Sequence, residues 1–279
     1  MTLSMASFIA NDWLVKYVSE SLPGPQLIFI RGLFSSVLLL AVARMTGALR
    51  VVWMQGADLW PTWMDRRVLA RSGLDAMATM VYLTSLFHLP IGNATAINMA
   101  TPLVITLLAA VALRERVSRA RWLAILAGFA GVLLVVQPAA HAFNAWALLC
   151  LSGTLLGAVR DLLTRAIRPN VPSVLVTLAT AVATCLLAGF LAALQTWHPV
   201  TLQQLSLLGV AGVFLSIGYY LLIASLRAGE MSVISPFRYT ALLFALLIGW
   251  LAWGDVPNIL AWTGITLLVG AGLYMLRLR

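Results

Sequence analysis

Asp12 is followed four residues later by Lys16 and then by Pro23, and Asp161 is followed four residues later by Arg165 and then by Pro172. The second set lies 149 positions after the first, member for member. Four-residue spacing puts each acid and base on one helix face, where they can pair with each other or meet a third charge. Six ionisable residues fall inside otherwise apolar runs: Asp12, Arg31, Asp75, Arg160, Asp161 and Arg238. At roughly 3 kcal/mol apiece on an insertion scale, all six facing lipid would cost about 18 kcal/mol, so they must face one another, water or a ligand.

Arg31 and Arg238 are suited to gripping a carboxylate or phosphate through two parallel hydrogen bonds, which favours an anionic or zwitterionic ligand. Asp75 is the candidate to take a proton, with a structural pair to Arg31 or Arg238 as the alternative. Asp12 with Lys16, and Asp161 with Arg165, read equally as coupling groups or as ion pairs that lock helices together. Arg160 reads as a residue snorkelling to the interface. Trp13, Tyr82 and Tyr239 each lie within a turn or two of one of these charges and offer flat faces to a ring, while Asn98 belongs to a polar group with Asn11, Asn93, Thr95 and Thr101. Pro102 and Pro236 can loosen their helices as hinges or impose a static kink.

The elements that carry these residues are long and apolar. Hydrophobic residues make up 62% of the 279 and charged residues only 10%, with a mean hydropathy of +0.97, which excludes a soluble surface. Apolar runs of about 20 residues have the length of membrane-crossing helices, and the alternating ten-residue strands of a membrane barrel do not appear. Spans are expected near 3–18, 25–43, 68–87, 92–113, 121–137, 144–164, 172–194, 203–226, 231–253 and 258–276. The fold class is therefore an all-α polytopic membrane protein of ten transmembrane helices. The first span, at about 16 residues and ~1.5 Å each, falls short of a ~30 Å core, and it lacks the features of a signal peptide.

Fourteen arginines flank the connections on one side of such a bundle, against Lys16 alone on the other. The positive-inside rule then puts both termini in the cytoplasm, with the bacterial inner membrane as the setting. Trp53, Trp60 and Trp63 mark the long connection around 45–67 as an interfacial segment. Five helices per half force tandem halves to cross in opposite senses, so residues 1–138 and 143–279 read as two inverted five-helix repeats. Glu115 with Asp255 and Trp122 with Trp262, each pair 140 apart, keep the same register. Gly153 with Gly157, and Ala124 with Gly128, suit close helix approach within a monomer or across a homodimer.

Other chemistries are excluded. Cys150 and Cys185 lie within spans and suggest neither a disulfide framework nor a metal site, and His88, His141 and His198 are far apart in sequence. No nucleotide-binding glycine loop, H-E-x-x-H or paired intramembrane aspartate signature is present, so no cofactor, no metal and no enzyme activity is expected. The net charge of +9 sits in short gaps between spans, which makes it a topology signal and not a nucleic-acid surface.

Leu89-Pro90-Ile91-Gly92-Asn93-Ala94-Thr95-Ala96-Ile97 leads to Pro102 and then to Leu113-Arg114-Glu115-Arg116-Val117. Ser235-Pro236-Phe237-Arg238-Tyr239-Thr240 precedes Trp253-Gly254-Asp255-Val256-Pro257 in the second half. In this order and spacing the chain resembles the ten-helix EamA-type branch of the drug/metabolite transporter superfamily over nearly its whole length. Asp255 stands where many members carry Glu, which keeps the charge. The Pro-Phe-Arg-Tyr-Thr segment is most similar to branches associated with riboflavin or S-adenosylmethionine uptake. The resemblance implies secondary transport of a small organic metabolite such as an amino acid, vitamin or cofactor, by alternating access and driven by a proton or other ion gradient. A proton-coupled exporter is the alternative within that class, and a membrane scaffold that moves nothing is the alternative outside it.

Overall fold

The computed structural model describes residues 1–49, 66–112, 118–136, 145–167, 171–228 and 235–277. Its helices are α1 (Thr2–Ser19), α2 (Gly24–Met45), α3 (Arg66–Leu86), α4 (Ile91–Asn98), α5 (Thr101–Ala112), α6 (Arg119–Val136), α7 (Ala145–Ala166), α8 (Ser173–Ala193), α9 (Leu202–Ala228), α10 (Thr240–Trp253) and α11 (Ile259–Arg277), with a 3₁₀ turn at Ser235–Tyr239 before α10. Among the described residues, four helices are long and apolar enough to cross a membrane unaided: Gly24–Met45, Ala145–Thr164, Ser173–Ala193 and Leu202–Ser225. The outer surface shows large apolar side chains such as Val37, Leu186, Phe190, Leu243 and Leu251, each roughly two-thirds exposed, which is the surface of a polytopic membrane protein. The interfacial segment expected around 45–67, with its three tryptophans, falls almost entirely outside the described residues.

Prolines set where several helices begin. Pro23, Pro90 and Pro172 occupy the N-cap positions of α2, α4 and α8 with ψ between 136° and 138°, extended backbone that a ring-locked φ favours just ahead of a helix. Gly254, at φ 69°, ends α10 in the left-handed region, and its amide and that of Asp255 satisfy the carbonyls of Trp250 and Gly249.

The expected fourth span is not one helix. It breaks between α4 and α5, because Pro102 has no N–H to offer the carbonyl of Asn98 four residues back. The Thr101 hydroxyl donates to that carbonyl instead, at 2.6 Å. The ninth span is also irregular, starting as a 3₁₀ turn around Pro236 before α10, where the Thr240 hydroxyl donates to the Phe237 carbonyl at 2.6 Å. The first span is longer than expected, with 18 residues in α1, or about 27 Å of helix.

Counting α4 with α5 as the fourth segment and the 3₁₀ turn with α10 as the ninth, the helix packing repeats when five is added to each segment. The third packs on the sixth and the eighth on the first, and the third packs on the seventh as the eighth does on the second. The second packs on the seventh, the fifth on the tenth and the fourth on the ninth. The most extensive crossings among the described residues thus pair off under this shift or map onto themselves. Gly153 lets α7 approach the backbone of Tyr82 in α3, where an added Cβ would lie 3.2 Å from the Tyr82 amide nitrogen. Gly157 instead opens toward the centre of the bundle, with only the Arg160 guanidinium near, at 3.8 Å.

Candidate functional site

A chain of charges crosses the middle of the bundle. Arg160 of α7 donates from Nη1 to Asp75 of α3 at 2.6 Å and from Nη2 and Nε to Asp161 at 2.8 and 3.0 Å. Asp161 also accepts from Nη2 of Arg238, in the 3₁₀ turn, at 2.7 Å. Tyr219 of α9 donates its hydroxyl to Asp75 at 2.9 Å. Three elements are therefore tied by two acids alternating with two guanidinium groups, and α9 joins them through the Tyr219 hydroxyl, an arrangement that gives each buried charge an opposite partner.

Beside it lies a second polar group. Arg31 of α2 donates from Nη1 to the amide oxygen of Asn11 at 3.1 Å, and the Asn11 amide nitrogen donates to Asp12 at 2.9 Å. Tyr82 of α3 donates to the other Asp12 oxygen at 3.0 Å. Both groups border one central cavity of about 160 Å³, whose wall includes Asp12, Arg31, Tyr82, Asn98, Arg160 and Arg238. Thr95 and Thr101 add hydroxyls, while Met5, Ile9, Leu83 and Leu222 supply apolar wall. A mixed lining of this kind suits a small organic molecule with one polar end.

Several expectations change. Asp75 does not line the cavity; it sits fully buried behind Arg160 and Tyr219, and its partner is neither Arg31 nor Arg238. Arg160 does not snorkel, because two carboxylates within 3 Å hold it inward. Lys16 does not pair with Asp12; it donates to the carbonyls of Leu86 and Leu89 and lies 5.3 Å from the Trp253 ring centroid. That ties the end of α1 to the ends of α3 and α10, where Trp253 also donates to Glu20 at 3.2 Å. Trp13 is 37% exposed and absent from the cavity wall, so it belongs to the outer surface. Tyr239 is buried outside the wall, its hydroxyl without a hydrogen-bond partner among the described residues. Asn93 borders a separate small cleft with Asp255. The side chains of Arg165, Pro102 and Pro236 lie outside the described residues.

Two residues were not legible as site residues. Arg160 is one position before Asp161, a spacing that pattern arguments treat as facing apart, yet its long side chain bends back to the neighbouring carboxylate. Arg71, counted among the topology arginines, is buried at 1% and donates to Thr164 at 3.1 Å and to Thr180. Its position four residues from Asp75 was the available signal. Because Trp13 faces outward, Trp13→Ala is expected to leave solute movement in proteoliposomes within about twofold of the parent, whereas Tyr82→Ala should lower it by roughly tenfold or more.

Among the described residues, no group of three or more His, Cys, Asp or Glu is arranged to hold a metal ion. The EamA-like transporter family model matches residues 1–137 and 144–277. Relatives include a riboflavin transporter from Rhizobium johnstonii, 32% identical over 76% of this chain and 70% of its own length. A pseudopaline exporter from Pseudomonas aeruginosa is 25% identical over 99% and 94%. An S-adenosylmethionine uptake transporter from Rickettsia bellii is 24% identical over 98% and 91%. One solved structure shares the fold, with a TM-score of 0.68 at 19% identity over 98% of this chain and 95% of the other. Matched in both halves, and built as a helical membrane bundle around a charged centre, the chain belongs to the EamA-like transporter family.

Proposed function

We propose that this protein is a secondary carrier that binds a small organic metabolite in the central cavity and moves it by alternating access, driven by an ion gradient. The observation that carries this reading is the central cavity bordered by acidic and basic side chains from both halves of the chain, in a member of a transporter family. The equivalence of helix crossings on adding five supports two inverted repeats, residues 1–138 and 143–279, and such a pair exchanges mirror-related conformations around a fixed midplane site. The break at Asn98–Thr101 borders the cavity, and Arg238 and Ala241 on either side of the change from 3₁₀ turn to α10 border it too; discontinuous helices of this kind give moving parts and polar groups to a solute. The bias of arginines to one side supports cytoplasmic termini in a bacterial inner membrane.

The relatives suggest flavins, S-adenosylmethionine and other amino-acid-like solutes as the classes to test first. Proteoliposomes preloaded with unlabelled solute are expected to show saturable counterflow of tracer for at least one of these. Gly157→Leu should abolish it with the fold intact, because that position opens into the cavity and not onto a neighbouring backbone. Unchanged counterflow in Gly157→Leu would move the solute path elsewhere. No counterflow and no thermal stabilisation by any of the three classes would leave the scaffold reading in its place.

A further inference from the structure

Three carboxylates are buried at the centre, and they are not equivalent. Asp75 and Asp161 each contact a guanidinium within 2.8 Å. Asp12, among the described residues, has only neutral donors, the Tyr82 hydroxyl and the Asn11 amide. Arg31 is its counterpart among the bases. It is 1% exposed, borders the cavity, spends Nη1 on the neutral Asn11 oxygen, and leaves Nε without a partner among the described residues. Arg71 also lacks a carboxylate in contact, but two threonine hydroxyls hold it and it stands outside the cavity wall. Asp12 and Arg31 are thus an opposed pair kept apart by one carboxamide, and both face the space in which a solute would sit.

We propose that Asp12 and Arg31, bridged by Asn11, form a paired site for one proton and one carboxylate-bearing solute. This deepens the carrier reading and rests on it only for the movement that follows binding. Empty, the pair is neutral overall. A proton on Asp12 alone leaves the Arg31 charge uncompensated in a low-dielectric interior, and an anion on Arg31 alone leaves the opposite excess. When water supplies a proton to the Asp12 carboxylate and a carboxylate takes the Arg31 fork, the net charge returns to that of the empty site. Each ligand therefore raises affinity for the other, by the same factor in both directions. The empty and doubly loaded forms are free of excess charge, and those are the two forms a symporter must let cross. The stoichiometry also selects the ligand. With the proton spent on Asp12, only the single Arg31 charge is left to balance the ligand: a phosphate monoester at about −1.5 to −2 exceeds it, whereas a carboxylate carries one charge.

Other groups near Asp12 keep the assignment local. Tyr82 reaches it from α3, Arg31 from α2 and Cys150 from α7. Lys16, on its own helix, is turned to the Leu86 and Leu89 carbonyls. Tyr219 of α9 is engaged with Asp75, and Arg238 of the 3₁₀ turn with Asp161.

Infrared difference spectroscopy of the full chain in proteoliposomes tests this without any transport step. Carbon-13 formate is the probe, small enough for the cavity and with its own carbonyl bands displaced; sulfate at equal ionic strength is the comparison. Acidification should bring up a protonated-carboxyl band that is missing in Asp12→Asn. Its midpoint should lie about one pH unit higher in formate than in sulfate, a roughly tenfold linkage, and Arg31→Gln should keep the band but lose that difference. A band that survives in Asp12→Asn, or equal midpoints in the two salts, overturns the proposal even if counterflow is found. Should Asp12→Asn fail to assemble, Tyr82→Phe removes one donor to the carboxylate and must raise the midpoint; an unmoved midpoint overturns it equally. Absent counterflow beside these spectra would instead count against the carrier reading alone.

Discussion

Asp161→Asn is expected to leave little folded protein. Its carboxylate takes three hydrogen bonds from Arg160 and Arg238 and is almost wholly buried, so the substitution leaves Arg160 with Asp75 alone and strips Arg238 of its carboxylate partner. Removing one partner of a buried ion pair costs about 3–5 kcal/mol, and here one side chain serves two bases. Thermal unfolding of detergent-solubilised protein, read by size-exclusion of the heated sample, measures the effect. Combining Asp161→Asn with Arg238→Gln restores one acid for one base and should recover most of the lost stability. Equal stability in the parent and the single variant would show that the charge chain does not hold α3, α7 and the 3₁₀ turn together.

The second large effect lies far from any charge. Gly131 of α6 and Gly264 of α11 face each other so closely that a Cβ on Gly131 would lie 2.6 Å from the Gly264 carbonyl oxygen and 2.9 Å from the Leu268 nitrogen. The obstruction is backbone, which cannot swing aside as a side-chain tip can. Two helices in lipid gain little from hiding apolar surface, so their association depends on close approach of this kind. Gly131→Ala is expected to lower stability by about 1–3 kcal/mol, and Gly131→Leu to separate α6 from α11 and abolish assembly. Gly270→Ala is the control, since nothing stands within 4 Å of its Cβ position, and it should leave unfolding unchanged.

Helix placement was legible because apolar length is a signal carried by each run separately, and the observed helices fall on the expected spans. The breaks in the fourth and ninth spans were less so. Pro102 and Pro236 marked them, but whether a proline bends a helix or splits it depends on which neighbour takes the freed carbonyl, and at Pro102 that was settled locally by the Thr101 hydroxyl. The set of buried charges was legible from the cost of exposing them to lipid. Their pairing was not, because it is decided by which helices cross. Asp12 and Lys16 share a helix face, yet Lys16 finds backbone carbonyls at the end of α3 and Asp12 finds Tyr82. Arg71 was miscounted for a related reason: near a helix start a surface arginine and an inward one look alike until a partner such as Thr164 is known. Trp13 shows the limit of proximity in sequence, since one residue beyond Asp12 turns the ring about 100° toward the outside.

Both cysteine thiols of the chain are shut away, Cys150 with no exposed surface beside the Ala94 carbonyl and Cys185 nearly so beside that of Phe29. Bulky thiol reagents therefore meet a silent background in this conformation. Single cysteines introduced along α1 and α2 can be tagged one at a time without first stripping the native pair, which opens the solute path to chemical mapping in otherwise unaltered protein.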